Sequence, residues 1–272
     1  MNERVLLDID DEGVARVRLN RADKMNALDP AMFDALREVG ARLQTMPNLR
    51  VVVLSGEGRA FCAGLDFGRF EKMSQADATV LPATDLRVRT HGLANAPQQV
   101  AWVWRNLPVP VIAVVHGVAF GGGLQVALGA DVRMVDAQTR MSVMEIKWGL
   151  VPDMAGIVLM SQLLRGDVVR ELTYSGRIVF GPEAVQLGLA TRLCDDPRAE
   201  ALALAQQIAR SSPDAIRAAK RLLNSTLSAS PAEILQAESD EQFRLIGSAN
   251  QVEAAKAGLE KRAARFSDPQ PR

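Results

Sequence analysis

The chain has 272 residues, 48% hydrophobic and 24% charged, a composition that suits a globular protein with a sizeable core and excludes a disordered or collagen-like chain. Its 32 Lys and Arg balance its 32 Asp and Glu. No global positive field therefore exists for nucleic acid or an anionic membrane, and an anionic ligand must be held by local groups. The two cysteines, Cys62 and Cys194, and two histidines, His91 and His116, are too few for a disulfide framework or a multi-histidine metal centre. The charged start MNERVLLDID lacks the apolar run of a secretory leader. The longest apolar stretch, 109–130, is crossed by Pro110, His116, Gln125 and the Gly121–Gly123 triplet, which argues against a membrane span. The expectation is a cytoplasmic α/β protein.

In chain order, Val5–Ile9 and Val14–Leu19 flank Asp10-Asp11-Glu12-Gly13 and predict a hairpin. Asp29-Pro30 opens a predicted helix over Leu28–Thr45, with Met32, Leu36, Val39 and Leu43 on one face. Leu49–Leu54 reads as a buried strand ended by Ser55-Gly56-Glu57-Gly58. Residues 66–106 are weakly periodic and are expected to vary in structure. Val111–Val115 and Val132–Val135 read as further buried strands, with Gly121–Gly123 leading into a helix through Leu128 between them. Strands alternating with helices favour a layered βα fold. Beyond Asp195 the texture becomes Ala-, Leu-, Arg- and Gln-rich, with helix starts at Ser211-Ser212-Pro213-Asp214 and Ser230-Pro231-Ala232-Glu233. A boundary near residue 196 therefore divides a core, 1–195, from a helical region, 196–272, whose tail from Ser267 is expected to fray.

Three segments could carry chemistry. GEGRAFCAGLD (56–66) and HGVAFGGGLQ (116–125) each follow a buried strand, and their glycines free backbone N–H groups to face a ligand. The second also opens a helix, where orphan N–H groups and the macrodipole favour an anion. It is neither a Walker loop nor a spaced GxGxxG fingerprint. Together the two turns suggest a two-pronged oxyanion hole. In MEIKWGLVPDMAG (144–156), Glu145 and Asp153 stand among apolar residues that raise carboxyl pKa values toward neutrality. The alternatives are a surface Glu145 paired with Lys147 and an Asp153 that caps a helix.

Taken jointly, AFCAGLD (60–66), HGVAFGGGLQVALGADVRM (116–134) and EIKWGLVPDMAG (145–156) resemble the crotonase superfamily, the enoyl-CoA hydratase/isomerase family. The likeness runs from NRADKMNAL (20–28) to GLEKRAARF (258–266). It implies a spiral of ββα units with a helical C-terminal trimerisation region, a homotrimer or hexamer, and an acyl-CoA thioester substrate. CoA is then part of the substrate, with no metal or redox cofactor. The resemblance further implies oxyanion donation by the N–H groups of Leu65 and Gly122, each such donor being worth about 3 kcal/mol. CoA contacts are implied at Met25, Ala63 and Lys261, the last reaching across from a neighbouring subunit, and loop support at Asp66.

One departure bears on the reaction. Family hydratases use two glutamates; Glu145 matches the second, but Gln125 stands at the first, and an amide cannot act as a general base. Asp153 falls where dienoyl-CoA isomerases carry an aspartate. The leading expectation is therefore an acyl-CoA double-bond isomerase working through Glu145 and Asp153. The alternatives are an enoyl-CoA hydratase using Glu145 with Gln125, and a non-catalytic acyl-CoA-binding oligomer. An aryl-CoA dehalogenase is disfavoured because that class has tryptophan where this chain has Glu145. The first helix, PAMFDALREVGARLQ, lacks the lysines expected of an RNA-binding relative. His91 is expected at the surface, His116 in a structural role, and Trp102, Trp104 and Trp148 in core or acyl pocket.

Overall fold

The computed structural model describes residues 4–75, 85–226 and 228–269. Strands β1 (Val5–Ile9) and β2 (Val14–Leu19) form the predicted antiparallel hairpin. Asp10 closes its turn by accepting from the N–H groups of Glu12 and Val14 at 3.1 and 2.9 Å. From β2 onward every pairing in the large sheet is parallel: β3 (Val51–Gly56), β4 (Val111–Val115), β6 (Val132–Val135) and β9 (Arg192–Leu193), in the order β1-β2-β3-β4-β6-β9. Such strands are covered on both faces, which is why VVVL and VIAVV are continuous apolar runs rather than alternating ones.

On one face, Val52, Leu54, Val111 and Ala113 pack with Met32, Leu36 and Leu43 of α1 (Pro30–Gln44) and with Val100, Val103 and Trp104 of α3 (Ala96–Asn106). On the other, Val51, Val53, Ile112 and Val114 meet Ala201 and Ala205 of α8 (Pro197–Ala209). Asp29 caps α1 by accepting from Met32 N–H at 2.8 Å. The first strand of this pair of faces differs from expectation at its end. β3 runs through Ser55 and Gly56, because these pair with Arg18 and Leu19 of β2. A Cβ on Gly56 would fall 2.4 Å from the Ala60 carbonyl, so only glycine lets the chain fold back so closely.

A small sheet, β5-β7-β8, lies beside the large one. β4 is followed at once by β5 (Val118–Phe120) and then α4 (Gly122–Leu128); β6 is followed by β7 (Arg140–Ser142) and then α5 (Gly156–Leu163). These are successive ββα units, and they wind the chain between the two sheets. The short strands escaped the sequence reading because three residues carry no period. After α6 (Gly166–Ser175), β8 (Val179–Phe180) and α7 (Gly181–Leu187), the chain continues into α8, α9 (Pro213–Ser225), α10 (Pro231–Leu245) and α11 (Ala249–Glu260). Lys220 of α9 is buried, donating to the Trp104 and Val109 carbonyls and to Asp131 at 3.2, 2.7 and 2.7 Å, which fastens these helices to the core. Ser267 does not fray: Asn250 accepts from its N–H at 3.0 Å and donates to its carbonyl at 3.2 Å. The rest of that expectation, 270–272, lies outside the described residues. So does 76–84 of the variable segment, whose flanks hold α2 (Phe67–Ser74) and α3. No described helix is long and apolar enough to cross a membrane.

Candidate active site

Strand register assembles the site. Cys62 bridges Ala119 in parallel, and β5 pairs in parallel with β7, Ala119 opposite Met141 and Phe120 opposite Ser142. Three chain segments therefore leave the small sheet at the same end, where α/β folds place their ligands. Three residues beyond the first bridge, Leu65 comes level with Gly122. A Cβ on Gly64 would lie 3.7 Å from the Gly122 nitrogen, so the two turns are in contact. The segment after β7 brings in Met144 and Glu145 on the neighbouring track.

Both turns leave an N–H free. Leu28 bridges Leu65 by donating to the Gly64 carbonyl at 2.7 Å and accepting from Asp66 N–H at 3.2 Å. In a parallel bridge that pattern turns the N–H of Leu65 itself to the opposite side. Gly122 is the first residue of α4, where no intrahelical acceptor exists. Neither N–H donates to a protein acceptor among the described residues. Gly121, at φ +50 and ψ −122, makes the turn that aims Gly122, a conformation open to glycine alone.

The first turn is tied by side chains. Buried Asn26, itself left-handed at φ 56, donates to the carbonyls of Glu57, Ala60 and Phe61 at 2.9, 2.8 and 3.2 Å, and accepts from Arg21 N–H at 2.8 Å. Asp66 caps α2 through Gly68 N–H at 2.9 Å and pairs with Arg21. Partial burial acts to raise the Asp66 carboxyl, but Arg21, the Gly68 N–H and Lys24 outweigh it and hold it below the usual range. Sequence reasoning missed Arg21 and Asn26. Their only signal was position within NRADKMNAL, since nothing local marks an asparagine as a clasp for a loop thirty residues on.

The acids stand on the other side. Glu145 is 9% exposed, in a 3₁₀ turn spanning Glu145–Trp148. Its Oε1 accepts from Gln125 Nε2 at 2.6 Å; its Oε2 is buried and has no partner. Burial pushes its carboxyl up, the backbone and Gln125 oppose that, and the charge of Asp153 adds to the rise. Asp153 is exposed, yet the surrounding protein desolvates its carboxyl enough to push it up as well. Each alternative reading of these acids fails on geometry. Glu145 pairs with Gln125 rather than Lys147. Asp153 caps nothing, because α5 begins at Gly156 after left-handed Ala155, and its cap is the Gln125 side chain, whose Oε1 accepts from the N–H groups of Met154 and Gly156 at 2.8 and 2.9 Å.

The other residues singled out from the sequence are more scattered. Met25, left-handed at φ 48, accepts from Ala63 N–H at 2.9 Å, so these two lie together beside the first turn. Lys261 is the exposed C-cap of α11, and its side chain has no hydrogen bond or ion pair among the described residues. His116 Nε2 lies 3.0 Å from the Gly58 carbonyl, joining the starts of the two turns. His91 is exposed, in a short turn rather than a helix, beside Thr90. Trp104 is fully buried in the core, whereas Trp148 stacks on Phe70 with centroids 3.9 Å apart. Cys62 is buried beneath the first turn, its thiol pushed up to about 12 by desolvation and so inert as a nucleophile.

Two free N–H groups on adjoining turns, with the Glu145 carboxylate over the second turn and Asp153 on the turn that Gln125 ties to it, are the equipment for stabilising an oxyanion while moving protons. The enoyl-CoA hydratase/isomerase family model matches residues 10–270, and the chain belongs to that family of enzymes, which act on acyl-CoA thioesters. It is 33% identical to the Bacillus subtilis protein YngF over 269 residues, 97% of this chain and 98% of that protein. It is 29% identical to the mouse mitochondrial Delta(3,5)-Delta(2,4)-dienoyl-CoA isomerase, over 92% of this chain and 77% of that one. The crystal structure of an enoyl-CoA hydratase of Mycobacterium smegmatis matches with a TM-score of 0.81 at 28% identity, covering 96% of this chain and 98% of that one.

Proposed function

We propose that the protein is an acyl-CoA double-bond isomerase of the dienoyl-CoA isomerase kind. The observation that carries this reading is the Gln125 side chain joining the two acid-bearing turns, its Nε2 2.6 Å from Glu145 Oε1 and its Oε1 accepting at 2.8 Å from the N–H of Met154, next to Asp153; both carboxyls are also pushed up, and the charge of Asp153 acts on Glu145. The thioester oxygen accepts from the N–H groups of Leu65 and Gly122. In the form of the coupled pair whose one proton sits on Asp153, Glu145 takes a proton from the acyl chain, and the C–H electron pair passes into a dienolate held by those donors. Asp153 gives its proton to a distal carbon, so the double bonds shift with no atom gained or lost. Two carboxyls pushed toward neutrality suit the two roles, one as base and one as acid. Asp66 holds the first turn. Met25 and Ala63 border the path of the CoA moiety, and Lys261 reaches its nucleotide end from a neighbouring copy in a homotrimer or hexamer. The reaction needs no metal or redox cofactor, since the two carboxyls balance it, and the protein acts in the cytoplasm.

A second reading, hydration of an enoyl-CoA, is favoured by the Gln125 amide lying 2.6 Å from Glu145, where it could orient a water. Mass spectrometry of enoyl- and dienoyl-CoA panels incubated with the protein in deuterated water separates the two. An isomer of unchanged composition, lost in both Glu145→Gln and Asp153→Asn, is the expected result; gain of a water overturns the isomerase reading.

A further inference from the structure

Every hydrogen-bonding direction at Gln125 except one amide hydrogen is accounted for. Its Oε1 accepts from two backbone N–H groups, Met154 at 2.8 Å and Gly156 at 2.9 Å. These are donors only, so the amide cannot be turned round, and its NH₂ must face Glu145. The Glu145 carboxylate is thereby made unequal. Oε1 is engaged at 2.6 Å, while Oε2 is buried and bare. A buried carboxylate oxygen without a partner is costly unless something arrives to use it. The carboxylate also lies over the glycine turn: a Cβ on Gly121 would come 3.3 Å from Oε1, one residue before the free N–H of Gly122. Meanwhile the amide oxygen clamps the turn that follows Asp153. A single side chain from α4 thus reaches both acid-bearing turns.

We propose that Gln125 is a positioning residue that occupies Oε1 of Glu145, dedicates Oε2 to proton transfer, and fixes the spacing between Glu145 and Asp153. This rests on the acid–base role proposed for Glu145. It also makes Gln125 a poor substitute for the missing second glutamate, because the oxygen that would accept from a water is already doubly engaged. The charge that acts on Glu145 is that of Asp153, on the turn before α5; Lys147, on Glu145's own turn, makes no ion pair with it among the described residues. Gln125 is the side-chain donor that favours the ionised form of Glu145.

The test pairs Gln125→Met, which keeps the length and removes the amide, with Gln125→Glu, whose carboxylate still accepts from Met154 and Gly156. Two quantities are measured: the pH dependence of kcat/KM, and the midpoint of the Glu145 carboxyl by carbon-13 NMR, assigned by its loss in Glu145→Gln. In Gln125→Met the midpoint and the acid limb of kcat/KM move together to higher pH, with kcat down at least about tenfold. In Gln125→Glu two carboxylates face each other and share a proton, so the limb moves further in the same direction. An unmoved midpoint and limb in a folded variant, with changes confined to stability or KM, overturn the proposal. If Gln125→Met does not fold, Gln125→Glu decides alone. If the wild-type protein isomerises nothing, the proposed reaction fails, and the NMR midpoint still judges the clamp.

Discussion

The two glycine turns lie side by side, backbone pressed on backbone, and the first is clasped by side chains as well. Residues 56–66 are tied by Asn26 on three carbonyls, Arg21 on Asp66 and His116 against Gly58. Where the turns meet, the contact is main chain. A Cβ on Gly117 would come 2.0 Å from the Arg59 carbonyl, and one on Gly123 would come 2.3 Å from that of Cys62. The side-chain clasps can therefore be loosened by degrees, one at a time. The shared backbone contact yields nothing, and it is the second turn whose helix carries Gln125 and whose partner strand delivers Glu145.

The comparison breaks first at the chemistry. Glu145→Gln should lower turnover about 10³-fold, about 4 kcal/mol of barrier, measured as kcat. Because the folded chain raises the Glu145 carboxyl, ionisation destabilises it as pH climbs through the folded value. The variant should therefore melt higher than wild type at pH 8, with the gap closing in acid; a lower melting point at pH 8 would mean that Glu145 is chiefly structural. Next comes the fold of the second turn. Gly123→Ala should cost about 3 kcal/mol in urea unfolding, since backbone cannot yield to the new methyl. Gly68→Ala, after the first turn and 3.2 Å from only the Asp66 side chain, should stay within about 0.5 kcal/mol. Equal costs would mean that the backbone contact at Gly123 does not set the penalty.

Smaller effects probe the clasps. Asn26→Ala leaves the Ala60 and Phe61 carbonyls without their buried donor and should cost about 2 kcal/mol, read from the shift in urea midpoint. Smaller again than Asn26→Ala is Asp66→Asn, under about 1 kcal/mol because the Arg21 pair is partly exposed. Its sign with pH is the reverse of that for Glu145. The Asp66 carboxyl is lowered in the folded chain, so its contribution is present above the unfolded value near about pH 4 and fades as pH falls through the folded one. Thermal melts of the two proteins should converge in acid; a constant gap would assign the effect to packing.

Elements with a continuous apolar run or a capped amphipathic face were legible in the sequence. VIAVV is β4, VRMV is β6, Asp29-Pro30 opens α1, and Ser230 with Glu233 forms the capping box of α10. The pieces that build the site were harder. β5 and β7 have three residues each, β8 and β9 two, and they exist only because a neighbour supplies their hydrogen bonds. Glu145 and Asp153 stood out by their apolar company, but the same residues also fitted a surface pair and a helix cap. Only the Gln125 contacts removed those alternatives.

The sequence by itself determined the buried core strands, the glycine turns that free N–H groups after them, and a resemblance strong enough to name the family. Those properties are local: burial, backbone freedom and motif spacing are written within a few residues. Tertiary structure decided that Leu65 comes level with Gly122, that Asn26 clasps the first turn where backbone presses on both, and that Gln125 binds both acid-bearing turns at once. Each of these depends on the register between segments far apart in the chain. A hydrogen bond of that kind is set by which donors reach an acceptor once the sheets have paired, and no residue carries that information alone.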